Sequence, residues 1–183
     1  MIVCDEHKFI FIRPTRCGTM SVLQCLRDNL DLPLSPVKMG INHPTASMAR
    51  HAFDDDEKWD KYFKFCVIRN PWAWWVSIWR RHNATHNSNF GFEEFVVRPP
   101  LVQADNIHSL CPSDWADLPL VYKYRLEDWA RDGVAVPGLP RYKIEHMSAG
   151  EHEHYTEYHT DATVEIISRR SLRMIREFGY RYG

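Results

Sequence analysis

The chain has 183 residues, 44% of them hydrophobic and 26% charged, with a formal net charge of −1. That length and composition predict one globular domain over residues 1–183, long enough to bury a real core. The balanced charge argues against a general nucleic-acid binder, which carries a strongly basic face. No apolar run is long enough to predict a membrane span.

The five cysteines (Cys4, Cys17, Cys25, Cys66, Cys111) are odd in number and form no CxxC pair. With no secretory pattern at the start, they predict free thiols and a reducing, cytoplasmic setting. In that setting the sequon Asn83-Ala84-Thr85 is a chance match. Arg80-Arg81 and Arg169-Arg170 read as solvated helix faces.

In chain order, Phe9–Ile12 is a short apolar run expected to form a central strand. A polar loop follows, and then Val22, Leu23, Leu26 and Leu30 recur at helical spacing, fading near Pro33. Residues 34–56 read as irregular, with a short helix starting near Thr45. Phe63–Ile68 is the second strand. Asn70 then suits an N-cap and Pro71 the first helical position, with the helix expected to reach about Arg81. His82–Asn89 is expected as a polar loop, Phe92–Val97 as a short helix and Arg98–Asp117 as a long surface loop. Leu120–Tyr124 reads as a third strand and Leu126–Arg131 as a helical turn. A last helix should begin near Thr160 or Asp161 and end at Gly179. Strands separated by helices predict an α/β fold: three layers, with a mainly parallel central sheet flanked by helices.

The loop after the first strand carries the chemistry. Pro14-Thr15-Arg16-Cys17-Gly18-Thr19-Met20-Ser21 combines a cation, small hydroxyl residues and a glycine just before a helix. Unpaired amides and the helix dipole make such a helix start an anion cradle. Gly18 lets the backbone come close to a ligand, while Arg16, Thr19 and Ser21 offer side-chain donors. No GxxxxGK run occurs, which argues against ordinary nucleotide-triphosphate chemistry. After the second strand, Arg69 and Ser77 are eight residues apart, with Ser77 about 9 Å along its helix at 1.5 Å per residue. Both Arg16 and Arg69 lie just past a strand, so both should face one crevice at the carboxyl ends of the strands.

These two segments resemble the signatures of sulfotransferases that use 3′-phosphoadenosine 5′-phosphosulfate (PAPS), in particular the carbohydrate sulfotransferase branch. FKFCVIRNPWAWWVS matches the second signature, and FGFEEFV and the Tyr-rich tail from His154 are weaker matches. The first signature is matched with Thr15 inserted and with Arg16 where lysine is usual. The resemblance implies a P-loop NTPase-like sulfotransferase fold. It also implies that residues 14–21 (Pro14, Thr15, Arg16, Cys17, Gly18, Thr19, Met20, Ser21) hold the 5′-phosphosulfate, and Arg69 and Ser77 the 3′-phosphate. Arg16 would act on the sulfuryl and bridging oxygens, and adenosine 3′,5′-bisphosphate (PAP) would be the product.

His43 lies between the two signatures, where related enzymes carry a histidine, and its ordinary pKa of about 6.5 suits a general base. Glu57 and Asp54–Asp56 are the other candidates. The acceptor is expected to be a carbohydrate or small molecule. Trp74 is a candidate for stacking on adenine, although the cluster of Trp72, Trp74, Trp75 and Trp79 reads first as core. His146, His152, His154 and His159 lack metal-site spacing, so no metal is expected. Two other readings stand beside this one: a PAP-binding protein with weak or no catalysis, and a small kinase-like phosphotransferase.

Overall fold

The computed structural model describes residues 1–30, 35–36, 43–99, 111–143 and 153–183. A five-stranded sheet organises them, in spatial order β3-β1-β2-β4-β5. The strands are β1 (Ile2–Cys4), β2 (Phe9–Ile12), β3 (Ser35–Pro36), β4 (Phe63–Ile68) and β5 (Val121–Arg125). β2, β4 and β5 run parallel, whereas β1 is antiparallel to both β2 and β3. The sheet is therefore mixed, which corrects the expectation of a mainly parallel one. The cause is an N-terminal hairpin in which β1 folds back onto β2 through a turn whose Lys8 adopts a positive φ of 51°.

The alternation of side chains decides the layers. Phe9 and Phe11 of β2 and Phe65 and Val67 of β4 point to one face, under α1 (Thr19–Leu30) and α6 (Leu126–Asp132). Ile10, Ile12, Cys66 and Ile68 point to the other. There they meet α4 (Pro71–His86), α5 (Phe92–Val97), α7 (Asp161–Arg170), α8 (Leu172–Phe178) and the short α2 (Ala46–His51). Cores on both faces explain why β2 and β4 read as unbroken apolar runs. The exception is Lys64, buried in β4, whose ammonium bonds the carbonyls of Trp59 and, at 2.8 Å, Tyr62. It thereby satisfies the C-terminal end of α3 (Asp56–Lys61).

Several boundaries differ from the sequence reading. α4 runs on to His86 because His82 is buried against the rings of Phe90 and Phe95, and the helix ends at Asn87 in the left-handed region. Residues 112–116 are a 3-10 turn that buries Trp115, rather than surface loop, while residues 100–110 lie outside the described segments. The last helix is two, broken at Ser171, where φ is −107° and ψ is 16°. Thr160 caps α7, and Thr163 answers it to complete a capping box. All five cysteines are free and buried. No described helix is long and apolar enough to cross a membrane.

Candidate functional site

The loop 13–18, the turn 69–70 and the start of α6 lie side by side at the carboxyl ends of β2, β4 and β5. Arg16 sits at a positive φ of 57°, and its Nε donates to Ser77 Oγ at 3.0 Å. The guanidinium of Arg69 reaches the carbonyl of Arg16 at 3.4 Å. Residues from the two sequence signatures are thus in direct contact, although 61 positions separate Arg16 from Ser77. Among the described residues Arg69 makes no ion pair, so its charge is not consumed by a neighbouring carboxylate.

The two helix starts beside this cluster differ. At α4, Asn70 Oδ1 accepts from the amides of Trp72 and Ala73 at 3.0 and 3.2 Å. The amide of Asn70 itself donates to Glu127 Oε1 at 2.7 Å. That end is closed by the chain's own oxygens. At α1 the first backbone bond is Val22 N–H to Gly18 carbonyl, 3.0 Å. The amides of Gly18, Thr19 and Met20 donate to no other group among the described residues. They form the open cradle expected of an anion site.

The remaining loop residues divide by burial. Pro14, Thr15, Thr19 and Ser21 are buried, Arg16 and Gly18 half-buried, and Met20 exposed. Cys17 points into the core, where burial pushes its thiol well up and keeps it neutral, so it offers a ligand only its backbone. Gly18, at φ +66°, has a second reason to lack a side chain. A Cβ there would lie 2.6 Å from Leu126 Cδ1 at the start of α6.

Trp74 is corrected as an adenine-stacking candidate. It is 1% exposed, and its indole N–H donates to the Thr15 carbonyl at 2.8 Å. It braces the loop from below, as the core reading of the tryptophans expects. His43 is half-buried, and its Nδ1 lies 2.8 Å from the Arg13 carbonyl. Only the Nδ1–H tautomer satisfies that acceptor, which leaves the ring's lone pair on Nε2. The indole of Trp115 holds the His43 carbonyl at 3.0 Å. Of the acidic alternatives, Asp55 caps α3, Asp56 pairs with Arg50 and Glu57 with Lys61.

Sequence reasoning missed Glu127 and Tyr180. The Tyr180 hydroxyl donates to Glu127 Oε2 at 3.0 Å, and the Arg125 guanidinium lies 4.6 Å from the centre of the Tyr180 ring. Burial and the adjacent carboxylate push the Tyr180 phenol far up, so it remains a donor. His154 and His159 are held by Thr156 and by Thr163 with the Trp72 carbonyl, while His146 and His152 lie outside the described residues. No cluster among the described residues has the make-up of a metal site. Compared with known proteins, the chain matches no family model, no curated protein and no solved structure.

Proposed function

We propose that the chain is a PAPS-dependent sulfotransferase. The observation that carries this reading is the contact between Arg16 and Ser77, which joins the two anion-binding segments in one crevice with Arg69. The open amides of Gly18, Thr19 and Met20 fit the 5′-phosphosulfate, with Arg16 beside them. Arg69 and Ser77 fit the 3′-phosphate. The closed start of α4 leaves side chains, not backbone, to recognise that second group.

In the reaction an acceptor oxygen bonds to sulfur as the bond from sulfur to the 5′-phosphate oxygen breaks. His43 Nε2 takes the acceptor proton, and PAP leaves. Such chemistry depends on position and charge stabilisation more than on covalent help from the protein. Arg16 cannot give up a proton, so its part is to stabilise charge on the transferring group and the departing phosphate. The acceptor class proposed is a carbohydrate or small-molecule hydroxyl.

The test is calorimetric binding of PAP, with AMP as control, to wild type and Arg69→Ala. Losing charged bonds to the 3′-phosphate should weaken PAP by about 10- to 150-fold while leaving AMP nearly unchanged. Equal affinity of wild type for PAP and AMP would overturn the assignment. Binding of PAP without sulfate transfer to any acceptor would leave the non-catalytic reading.

A further inference from the structure

The two edges of the sheet are finished differently. The β3 edge is two residues long and ends in Pro36, which has no N–H to offer a further strand. The β5 edge is five residues long and contains no proline. β5 bonds to β4 on one side, and among the described residues no backbone group meets its other side. The cations of β5 do not guard that side either. Lys123 turns to Glu177 at 3.4 Å, and the Arg125 guanidinium lies over the Tyr180 ring. An open row of N–H and C=O groups is a template for another strand.

The side chains along this edge carry costs of their own. Leu120, in the turn that leads into β5, is 75% exposed and holds φ at 64°, a region that favours glycine. Tyr122 is 55% exposed and rests on Phe63, with ring centres 4.8 Å apart. By alternation, Leu120, Tyr122, Tyr124 and Leu126 share one face of the edge. The segment Leu120-Val121-Tyr122-Lys123-Tyr124-Arg125-Leu126 reads nearly the same in both directions about Lys123. In an antiparallel pair related by a two-fold axis at Lys123, Tyr122 stands opposite Tyr124 of the second copy, and Leu120 level with its Leu126. The pattern is self-complementary, as a two-fold interface requires. The two Lys123 side chains face each other there, but each brings its own Glu177, so unlike charges alternate around the axis.

We infer that β5 is a dimerisation edge: it pairs antiparallel with β5 of a second copy of this chain, about a two-fold axis at Lys123, and joins the two sheets into one. Tyr122 then packs against Tyr124 of the second copy, a ring that already leans on Trp129 of α6 at 4.6 Å. Leu120 gains the apolar cover that its own chain does not supply. The interface stands apart from the sulfotransferase reading, and its test needs no ligand.

Sedimentation equilibrium of the full chain, from about 1 to about 200 µM, should show the mass rising from 21.7 kDa toward twice that value. Tyr122→Glu sets a carboxylate between tyrosine rings and should weaken association by about 30-fold. Leu120→Gly should weaken it by about tenfold, yet not lower the urea midpoint of the dilute monomer, because glycine takes this φ without strain. The register has its own test. Lys123→Cys should form an intermolecular disulfide on mild oxidation, since residue 123 meets itself at the axis, and Tyr122→Cys should not. The native thiols are all buried, which leaves the added one as the reactive group. A mass that stays at 21.7 kDa across the range overturns the proposal. So does a dimer indifferent to Tyr122→Glu, or one that cross-links through Tyr122→Cys and not through Lys123→Cys.

Discussion

Gly18→Ala separates two reasons for a glycine in the anion loop. The residue sits at φ +66°, where a side chain costs about 1–2 kcal/mol. An added Cβ would also lie 2.6 Å from Leu126 Cδ1 and 3.0 Å from Cδ2, closer than carbon atoms pack. Relieving that overlap pushes Leu126 against the core under α1 and α6, an overpacking cost of about 1–3 kcal/mol. The sum is about 2–5 kcal/mol. For a chain of this size that lowers the melting temperature by roughly 4–20 °C. Urea unfolding of Gly18→Ala, Leu126→Ala and the double variant isolates the steric part. Leu126→Ala alone should cost about 2 kcal/mol, since the residue is only half-buried. In the double variant about 1–3 kcal/mol of the summed loss should return, because the atoms that collide are gone. Additivity within about 0.5 kcal/mol would refute the packing argument. Where the double variant folds, its PAP affinity then shows whether the glycine also serves ligand approach.

Two further outcomes follow from the same geometry. His43→Ala should lower sulfate transfer by about 10²–10⁴-fold and leave PAP binding intact; retained turnover would remove the ring from the mechanism. Burial holds the Cys66 thiol at about 12 against a reference of 9.0. Above pH 9 the unfolded chain therefore releases a proton that the folded chain keeps, and stability falls as pH rises from about 9 toward 12, with no effect near neutrality. Urea midpoints at pH 8, 9 and 10 should decline less steeply in Cys66→Ala than in wild type. Identical slopes would show that this thiol is not the source.

What the sequence discloses here is local. The strands β2 and β4 are visible as apolar runs, and the start of α4 as Asn70 followed by Pro71, because neighbours in sequence determine them. α5 falls on its expected residues for the same reason. Lys64 shows the limit: its place in an apolar run says nothing of the α3 carbonyls it satisfies, since these depend on how the α3–β4 corner folds. β1 is too short, at three residues, for a period of two to stand out. Trp115 sits in a polar stretch, and its burial depends on partners distant in sequence: its ring meets Trp74 edge-on and its indole donates to the His43 carbonyl 72 residues away.

The candidate site was legible to the same degree. Arg16, Gly18, Arg69 and Ser77 stand out by type and spacing, but two facts about them do not. One is that Arg16 reaches across to Ser77, so the two signatures act as one cluster and substitution in either should be felt at both. The other is how the turn carrying Arg69 is fixed. Glu127 accepts from the Asn70 amide and from the Tyr180 hydroxyl, while Asn70 Nδ2 donates to the Arg181 carbonyl at 3.4 Å. The C-terminal residues, more than a hundred positions away, thereby hold the residue next to Arg69. The Glu127 carboxylate also takes up the Asn70 amide at the start of α4, so in the proposed reading the second phosphate is left to the side chains of Arg69 and Ser77 and not to that helix's backbone. That leaves the start of α1 as the place where an anion gains most. In the proposed reading, a carboxylate that looks out of place in an anion site thus helps direct the ligand to the unpaired amides of α1.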